Sequence, residues 1–402
     1  MSGSLRELFV TSLINPPAPS LSSRLSSLVI QSEIRAMTIE CEKAGGINLA
    51  QGVCDTEVPL AIRRAAAQAM DEGVNSYTRY DGLAELRQAI ADKLARDNGL
   101  SVNPDSEIVV SAGSTGAFYC ACLALLNPGD EVILFEPYYG YHLNTLAAVD
   151  AVCSFVSLEP PNWDFRPADL EAAVTPKTKA IMVCTPANPS GKVFSRLELE
   201  QIAEIAIKHN LIIFTDEIYE YFVYDGARHI SPATLAQVRD RTVTISGFSK
   251  TFSITGWRIG YSVCRSDWAK TIGYLNDLVY VCAPAPLQRG VAQGLSELPE
   301  QYYRDIRQEY ALKRAQICEA LNRAGFDPCV PNGSYYVLAD ASRLPGATGK
   351  EKAMYLLSKT GVAAVPGEAF FDGPNKDRFL RFCFAKSAGD LAQACERLSR
   401  FN

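Results

Sequence analysis

The chain has 402 residues, more than one hydrophobic core usually supports, so two lobes are expected. Hydrophobic residues make up 48% of the chain and charged residues 21%, and the formal net charge of -6 gives a pI near 5.4, as in ordinary globular proteins. Since no basic block stands out and no apolar run approaches membrane-spanning length, the composition argues against a nucleic-acid or membrane partner.

The 12 cysteines are scattered along the chain, and only Cys120 and Cys122 lie close together in sequence. No CxxC pair or Cys/His metal spacing occurs, so no metal site is predicted. The thiols are expected to be reduced core residues of an intracellular protein. No uninterrupted apolar segment precedes Pro16, so we expect no signal peptide and predict a cytoplasmic location.

The N-terminal part predicts an arm, a helix and a short strand. Pro16, Pro17 and Pro19 suit an extended arm, and a helical pattern covers residues 20–44. The next stretch, GGINLAQGVCD, predicts a short strand that ends near Gly52. A glycine at this point suits either close approach of the backbone to a ligand or a plain turn.

The stretch SYTRYDGLAELRQAIADKL offers Tyr77 as a candidate residue. A turn at Asp81 and Gly82 follows it, and then an amphipathic helix. Judged by residue type alone, such an isolated tyrosine is usually a packing residue with a hydrated hydroxyl group.

Strands and helices alternate from Glu107 onward, which predicts an α/β protein with a largely parallel sheet covered by helices on both faces. Five separate apolar runs are each followed, at the carboxyl end, by a candidate ligand-binding residue: Gly113, Tyr139, Asn188, Asp216 and Lys250. Ligands of open α/β sheets bind at that edge. The five turns are therefore expected to converge on one crevice.

Two of these turns suit charged parts of a ligand. Ser114 and Thr115 follow Gly113 at a predicted helix N-terminus, whose free N–H groups can bind an anion, although a turn of small residues also suits close packing. Asp216 ends a buried run, where a carboxylate needs a cation such as a protonated ring nitrogen. An ordinary helix N-cap is the alternative role for Asp216.

The segment TVTISGFSKTFSITGWRIGY carries the most specific chemistry. It predicts a buried strand at residues 242–245 that delivers Ser249 and Lys250 past its end, with Arg258 eight residues later. The amine can form an imine with an aldehyde, while the hydroxyl and the guanidinium hold a phosphate, so the ligand would be pyridoxal phosphate. The alternative is a solvated lysine and a surface ion pair.

This segment resembles the lysine signature of class I aminotransferases, fold-type I enzymes that use pyridoxal 5'-phosphate, and the resemblance covers nearly the whole chain. It implies an α/β fold with a large, mostly parallel seven-stranded α/β/α domain and a smaller α+β domain. The expected parts are an N-terminal arm with part of the small domain at residues 1–57, the large domain at 58–292 and the small C-terminal domain at 293–402.

The resemblance also implies a role for each candidate residue around the cofactor. Lys250 is the Schiff-base lysine, Asp216 pairs with the pyridinium nitrogen, and Tyr219 completes the catalytic set. Asn188 and Tyr219 share the phenolic oxygen, and Tyr139 stands where similar enzymes stack a tryptophan or phenylalanine on the ring. The residues expected on the phosphate are Gly113, Ser114, Thr115, Ser249, Arg258 and, from the partner subunit, Tyr77.

Substrate binding is expected from Gly52, Asn188 and Arg381. Arg381 shares a strand face with Phe379 and Cys383, so its guanidinium needs a buried acceptor. That acceptor is a substrate α-carboxylate or a structural salt bridge, and similar enzymes keep their carboxylate-binding arginine at this place.

The chain departs from the family pattern at two points. Some relatives have a phosphate-binding serine where this chain has Gly247, next to Ser246. Relatives dedicated to dicarboxylates also take a second arginine from a segment that corresponds to residues 274–288, where this chain has none. Three residues are predicted to be structural because they fit no hydrolase or metal pattern: His142, His209 and His229.

The expected function is transfer of an amino group from an L-amino acid to a 2-oxo acid, by a homodimer with its sites at the subunit interface. A carbon–sulfur lyase or a cyclising synthase similar to ACC synthase is the alternative on the same fold, because these enzymes anchor the cofactor in the same way. A non-catalytic ligand-binding relative is the alternative from another class. The lack of a G-x-G-x-x-G turn after a strand disfavours a dinucleotide oxidoreductase.

Overall fold

The computed structural model describes residues 32–401, and two sheets and one strand pair organise them. The strands are β1 (Ile47–Asn48), β2 (Ile108–Ala112), β3 (Glu131–Glu136), β4 (Val152–Ser157), β5 (Thr178–Cys184), β6 (Ile212–Asp216), β7 (Thr242–Gly247), β8 (Ile259–Val263), β9 (Asp327–Cys329), β10 (Tyr336–Asp340), β11 (Val362–Ala363), β12 (Val365–Pro366) and β13 (Phe379–Cys383).

The helices lie before, between and after these strands. They are α1 (Glu33–Lys43), α2 (Leu60–Asp71), α3 (Ala84–Lys93), α4 (Gly113–Leu125), α5 (Gly140–Ala148), α6 (Pro167–Ala172), α7 (Arg196–Lys208), α8 (Ser266–Tyr280), α9 (Ala285–Glu297), α10 (Glu300–Arg323), α11 (Gly349–Thr360) and α12 (Ala388–Ser399). A π-helical turn, Leu94–Asn98, extends α3. No helix in this set is long and apolar enough to cross a membrane.

The larger sheet has seven strands in the order β2-β8-β7-β6-β5-β3-β4. The neighbours from β7 to β4 pair in parallel, whereas β8 runs antiparallel to both β2 and β7. Consequently β2 points the same way as β3 to β7. This arrangement confirms the predicted mostly parallel, seven-stranded sheet.

The central strands are apolar on both faces because helices cover both faces. In β5, Ile181 and Val183 join one hydrophobic cluster, while Ala180 and Met182 join another. Alternate side chains of a strand point to opposite faces, so the two clusters lie on opposite sides of the sheet. This double burial explains why the strands read as continuous apolar runs rather than as alternating patterns.

The second sheet is antiparallel, in the order β12-β13-β10-β9, and is built from the last quarter of the chain. The short strand β1 pairs in parallel with β11, so the segment before α2 joins this C-terminal part. The described residues belong to one compact unit, and the domain bounds expected at 57/58 and 292/293 remain a prediction.

Two helix boundaries differ from the sequence expectations. The helix expected over residues 20–44 runs from Glu33 to Lys43 in the described part, after Ser32, whose hydroxyl accepts a hydrogen bond from the Arg35 N–H. The start of that pattern and the proline-rich arm lie outside the described residues. The long helix expected from near Glu297 begins at Glu300 instead, because Pro299 cannot donate the N–H that would continue α9.

Candidate active site

Five of the predicted site residues follow five strands that point in the same direction. Gly113 follows β2 directly, and Tyr139, Asn188 and Lys250 lie three to four residues beyond the ends of β3, β5 and β7. Asp216 is the last residue of β6. Because these strands are parallel in the sheet, their carboxyl ends lie along one edge, as expected from the sequence.

Lys250 lies in the turn after β7 and is partly buried. Its Nζ donates a hydrogen bond to the Gly52 carbonyl oxygen at 3.1 Å, and the Tyr335 hydroxyl donates to the same oxygen at 3.2 Å. Burial lowers the pKa of Lys250 below its usual value, and the charges of Arg258 and Arg381 act in the same direction. A lowered pKa favours the neutral, nucleophilic amine, so the alternative of a solvated loop lysine is wrong.

Arg258 packs directly against Gly113. A Cβ atom on Gly113 would lie 2.2 Å from Arg258 Nη2, and Gly113 has a φ of +75°, so both space and backbone conformation require glycine. Arg258 Nη1 donates to the Thr255 carbonyl oxygen at 3.0 Å. Arg258 forms no ion pair within the described part of the chain, so the surface ion pair considered above is wrong.

The N-terminus of α4 lies beside this guanidinium. Its N-cap residue, Ala112, has no side chain that could accept a hydrogen bond from the first turn. The N–H groups of Ser114 and Thr115 therefore remain available at the positive end of a helix, next to Arg258. This combination of donors is suited to a phosphate.

Asp216 is buried, with 6% of its surface exposed. Its Oδ1 accepts a hydrogen bond from the Ile218 N–H at 3.2 Å, and its Oδ2 lies 2.9 Å from Nε2 of His142. No helix follows β6 before residue 232, so the alternative role of Asp216 as a helix N-cap is wrong.

His142, which the sequence predicted to be structural only, contacts the candidate residue Asp216. It lies in the first turn of α5, three residues after Tyr139, and is 4% exposed. The Tyr139 ring meets the His142 ring edge-to-face with centroids 5.2 Å apart. The available signal was this i, i+3 spacing, which places His142 on the same helix turn as Tyr139. The other two histidines pair with glutamates instead, His209 with Glu171 and His229 with Glu217.

Arg381 is almost fully buried, with 1% exposed. Its Nη1 donates to Asn188 Oδ1 at 2.8 Å and its Nη2 to the Ala50 carbonyl oxygen at 2.6 Å. The rings of Tyr336 and Phe370 lie 4.2 and 4.8 Å from the guanidinium carbon. None of the described carboxylates pairs with it, so the structural salt bridge is wrong, and its Nε has no hydrogen-bond partner among the described residues.

Tyr336 links the substrate-side candidates to each other. Its hydroxyl lies 3.0 Å from the Tyr219 hydroxyl, and burial raises the pKa of Tyr219 well above its usual range, so that phenol keeps its proton. A Cβ atom on Gly52 would lie 1.8 Å from the Tyr336 hydroxyl oxygen. Gly52 is therefore needed for close approach, and its interpretation as a plain turn is wrong.

The remaining predicted residues occupy different settings. Ser249 is 6% exposed beside Lys250. Tyr77 is 83% exposed, so it is not a packing residue of its own chain. At Gly247, a Cβ atom would lie 3.0 Å from Gly260 Cα, so the serine found in some relatives would require the neighbouring backbone to shift slightly.

Comparison with known proteins identifies the family. The profile for aminotransferase class I and II matches residues 44–398. The chain belongs to the class I and II aminotransferase family. Kynurenine–oxoglutarate transaminase 3 of Rattus norvegicus is 33% identical over 386 residues, which cover 89% of this chain and 85% of that protein. Aspartate aminotransferase of Pyrococcus abyssi is 33% identical over 383 residues, which cover 94% of this chain and 97% of that protein.

A solved structure agrees with this assignment. The N-succinyldiaminopimelate aminotransferase from Mycobacterium tuberculosis matches the aminotransferase described here with a TM-score of 0.91 at 33% identity, covering 95% of this chain and 100% of that one. The fold-type I architecture predicted from the sequence is thereby confirmed. So is the predicted reaction, transfer of an amino group between amino acids and 2-oxo acids.

Members of this family use pyridoxal 5'-phosphate, and so does this aminotransferase. The residues at the sheet edge fit that group chemically. They comprise an amine with a lowered pKa at Lys250, a guanidinium beside an open helix N-terminus at Arg258, and a buried carboxylate at Asp216. Between residues 32 and 401 no cluster of His, Cys, Asp or Glu is arranged to hold a metal ion.

Proposed function

We propose that the residues at the carboxyl edge of the large sheet form the cofactor and substrate site of this aminotransferase. One observation carries the proposal: an amine, a buried carboxylate and a guanidinium lie at this edge, and a second guanidinium, on β13 of the other sheet, donates to Asn188 there. Neither guanidinium has a carboxylate partner among the described residues. The groups are Lys250, Asp216, Arg258 and Arg381. Each matches one charged or reactive part of an amino acid bound to pyridoxal phosphate.

The cofactor side of the site divides between a phosphate end and a ring end. Arg258, Ser249, Gly113 and the N–H groups of Ser114 and Thr115 hold the phosphate. At the ring end, Asp216 faces the ring nitrogen and His142 fixes the orientation of that carboxylate. Three further side chains contact the ring or its phenolic oxygen: Tyr139, Asn188 and Tyr219.

Pyridoxal phosphate, when bound, supplies an electron sink that makes the α-proton of the substrate acidic. Lys250 then moves this proton. Its neutral Nζ accepts the proton from the substrate α-carbon, and the lowered pKa that burial gives Lys250 favours this neutral form. The Asp216 carboxylate keeps the ring nitrogen protonated and so strengthens the sink.

Arg381 binds the α-carboxylate of every substrate. Its planar fork matches a carboxylate, and the rings of Tyr336 and Phe370 both contact the guanidinium and restrict its position. The side-chain oxygen of Asn188 accepts a hydrogen bond from the same guanidinium. Asn188 therefore links Arg381, which binds the substrate carboxylate, to the phenolic oxygen of the cofactor. Gly52 lets Tyr336 approach and presents its carbonyl oxygen to Lys250.

The donor is an L-amino acid with a neutral or aromatic side chain, and the acceptor is a 2-oxo acid. Support comes from the segment 274–288, which contains no arginine that could bind a second carboxylate, and from the tyrosines around Arg381. The names of the relatives include both an aromatic donor, kynurenine, and a dicarboxylate donor, aspartate. The names of the relatives therefore do not decide which type of donor this enzyme prefers, and that preference depends on the residues around the substrate side chain.

The proposal also includes a cytoplasmic homodimer with Tyr77 on the phosphate of the partner subunit. Tyr77 is 83% exposed and Leu278 is 80% exposed, so both side chains are available to contact a partner subunit. The twelve cysteines are all free thiols, which suits a reducing compartment. Within each subunit, residues 58–292 form the cofactor domain and 293–402 the small domain.

A panel of amino acids tested against 2-oxoglutarate and pyruvate checks the proposed reaction. Each assay is scored for the new amino acid and for released ammonia. Transamination of neutral or aromatic donors without ammonia release supports the proposal. Stoichiometric ammonia release with no new amino acid would instead assign the lyase alternative.

A further inference from the structure

A cavity of about 700 Å³ lies outside the candidate active site. It is bordered by the turn at residues 96–98, the stretch at residues 220–229, the end of α9 and the start of α10. We call it the Tyr303 cavity. None of the cofactor or substrate residues proposed above lines it, and its volume is that of a small-molecule site.

Two nearly buried side chains in the lining have polar atoms without a partner. The His229 side chain is 6% exposed and directs Nε2 to Glu217 at 2.9 Å, but its Nδ1 has no hydrogen-bond partner among the described residues. Tyr303 is also 6% exposed, and its hydroxyl likewise lacks a partner in the described part. Buried polar atoms are nearly always paired, so an unpaired Nδ1 and an unpaired hydroxyl in residues that line one cavity are unusual.

The start of α10 gives the cavity a positive end. This helix is 24 residues long, and its N-cap residue, Pro299, offers no side chain to the first N–H groups. Leu298 and Glu300, on either side of Pro299, both line the cavity. The free N–H groups and the helix dipole at such an end favour an anion.

The arginines of the lining leave a surplus of positive charge. Two of the four are neutralised, since Arg96 pairs with Asp97 at 2.8 Å and Arg304 with Glu300 at 2.6 Å. The third acidic group of the lining, Glu220, pairs with the buried Lys93. The side chains of Arg228 and Arg307 make no ion pair or hydrogen bond with any other residue described. These two guanidinium groups therefore remain available to an anionic ligand.

Part of the lining is apolar. The rings of Tyr221 and Tyr303 lie with centroids 4.6 Å apart, and Leu295, Leu298 and Val223 also line the cavity. A ligand that fills the cavity must therefore combine a charged end with an apolar or aromatic body.

We propose that the Tyr303 cavity is a second ligand site, which binds a small organic anion. Its carboxylate or phosphate group contacts Arg228, Arg307 and the N-terminus of α10, and its apolar body packs on Tyr303 and Leu295. This site is separate from the amino-acid site and does not depend on the roles proposed there.

Isothermal titration of the full-length holoenzyme tests the proposal with three probes: benzoate, phenyl phosphate and inorganic phosphate. All titrations use an Arg381→Ala background at fixed ionic strength, so that carboxylate binding at the active site does not contribute. The test variants are Arg228→Gln/Arg307→Gln, which removes both charges, and Tyr303→Phe, which removes only the hydroxyl. The matched control is Arg323→Gln/Arg400→Gln, two exposed arginines that pair along their own helices.

The expected result is saturable binding of benzoate or phenyl phosphate, one per chain, weakened at least about tenfold by Arg228→Gln/Arg307→Gln and roughly threefold by Tyr303→Phe. Kd in the control should change less than about twofold. The tighter of the two aromatic probes assigns the charged group. Absence of saturable binding, equal Kd in the double variant and its control, or inorganic phosphate binding as tightly as phenyl phosphate would overturn the proposal. An unchanged thermal unfolding midpoint shows that each variant is folded.

Discussion

His142 Nε2 lies 2.9 Å from Asp216 Oδ2, and this contact joins the first turn of α5 to the last residue of β6. Both side chains are buried, so water cannot replace either partner easily. The carboxylate is also fixed by the Ile218 N–H. Asp216 therefore holds one orientation, with a negative charge available to a cation at the sheet edge.

Replacing Asp216 by asparagine tests this role. Asp216→Asn should leave pyridoxal phosphate bound but lower kcat by on the order of a hundredfold or more, because an amide cannot stabilise the protonated ring nitrogen. Exchange of the substrate α-proton, followed by deuterium incorporation, measures the affected step directly. Near-normal exchange in the variant would contradict the role.

His142 should act on the same step through Asp216. His142→Gln should lower kcat by roughly tenfold to a hundredfold, the value of one hydrogen bond to a buried charge. The matched control is His209→Gln, because His209 pairs with Glu171 away from the site. Equal effects of both substitutions would show that His142 has only a structural role.

Arg381 and Arg378 offer a matched pair for substrate binding. Arg381→Ala should raise KM and lower kcat/KM for all donors together, by roughly 2–5 kcal/mol of transition-state binding. Arg378 pairs with Asp340 at 2.7 Å and its side chain is 47% exposed, so Arg378→Ala should change kcat/KM little. A loss confined to one donor would mean that Arg381 binds a side chain rather than the α-carboxylate.

Donor specificity follows from the absence of arginine in residues 274–288. Phenylalanine and methionine should be used at least as well as aspartate when kcat/KM is measured with one common acceptor. Arg79, which could otherwise reach a distal carboxylate, is paired with Asp81. A strong preference for aspartate would reveal a second carboxylate-binding residue, from either subunit.

The exposed Tyr77 predicts sites shared between subunits. An inactive Tyr77→Ala variant mixed with an inactive Lys250→Ala variant should recover part of the activity, since a hybrid dimer contains one site with both residues intact. Subunit exchange is verified by native mass spectrometry. Failure to recover activity after proven exchange would mean that each site is complete within one chain.

Much of the candidate site was predictable because the carboxyl ends of parallel strands lie along one edge of the sheet. The apolar runs before Gly113, Asn188 and Lys250 were enough to identify that edge, and the lysine signature added the roles. The residue type was also informative at Arg381, since a guanidinium group in an apolar strand requires a hydrogen-bond acceptor or an anion.

The contacts that sequence reasoning missed connect distant segments. His142 reaches Asp216 across 74 residues, and Tyr336 reaches Tyr219 across 117. No local pattern encodes such pairs, because they depend on how α5 and β10 pack onto the sheet edge. The requirement for Gly52 is of the same kind, since only the approach of the Tyr336 hydroxyl explains it.

The assignment of Lys250 as the cofactor-binding lysine is the central claim, and borohydride reduction of the holoenzyme tests it most directly. Reduction should fix the cofactor to one peptide, mapped by mass spectrometry to Lys250, and Lys250→Ala should abolish both labelling and turnover. Lys270→Ala, which removes an exposed lysine, should keep both. A label on any other lysine in the wild-type protein, or full labelling of Lys250→Ala, would contradict the account.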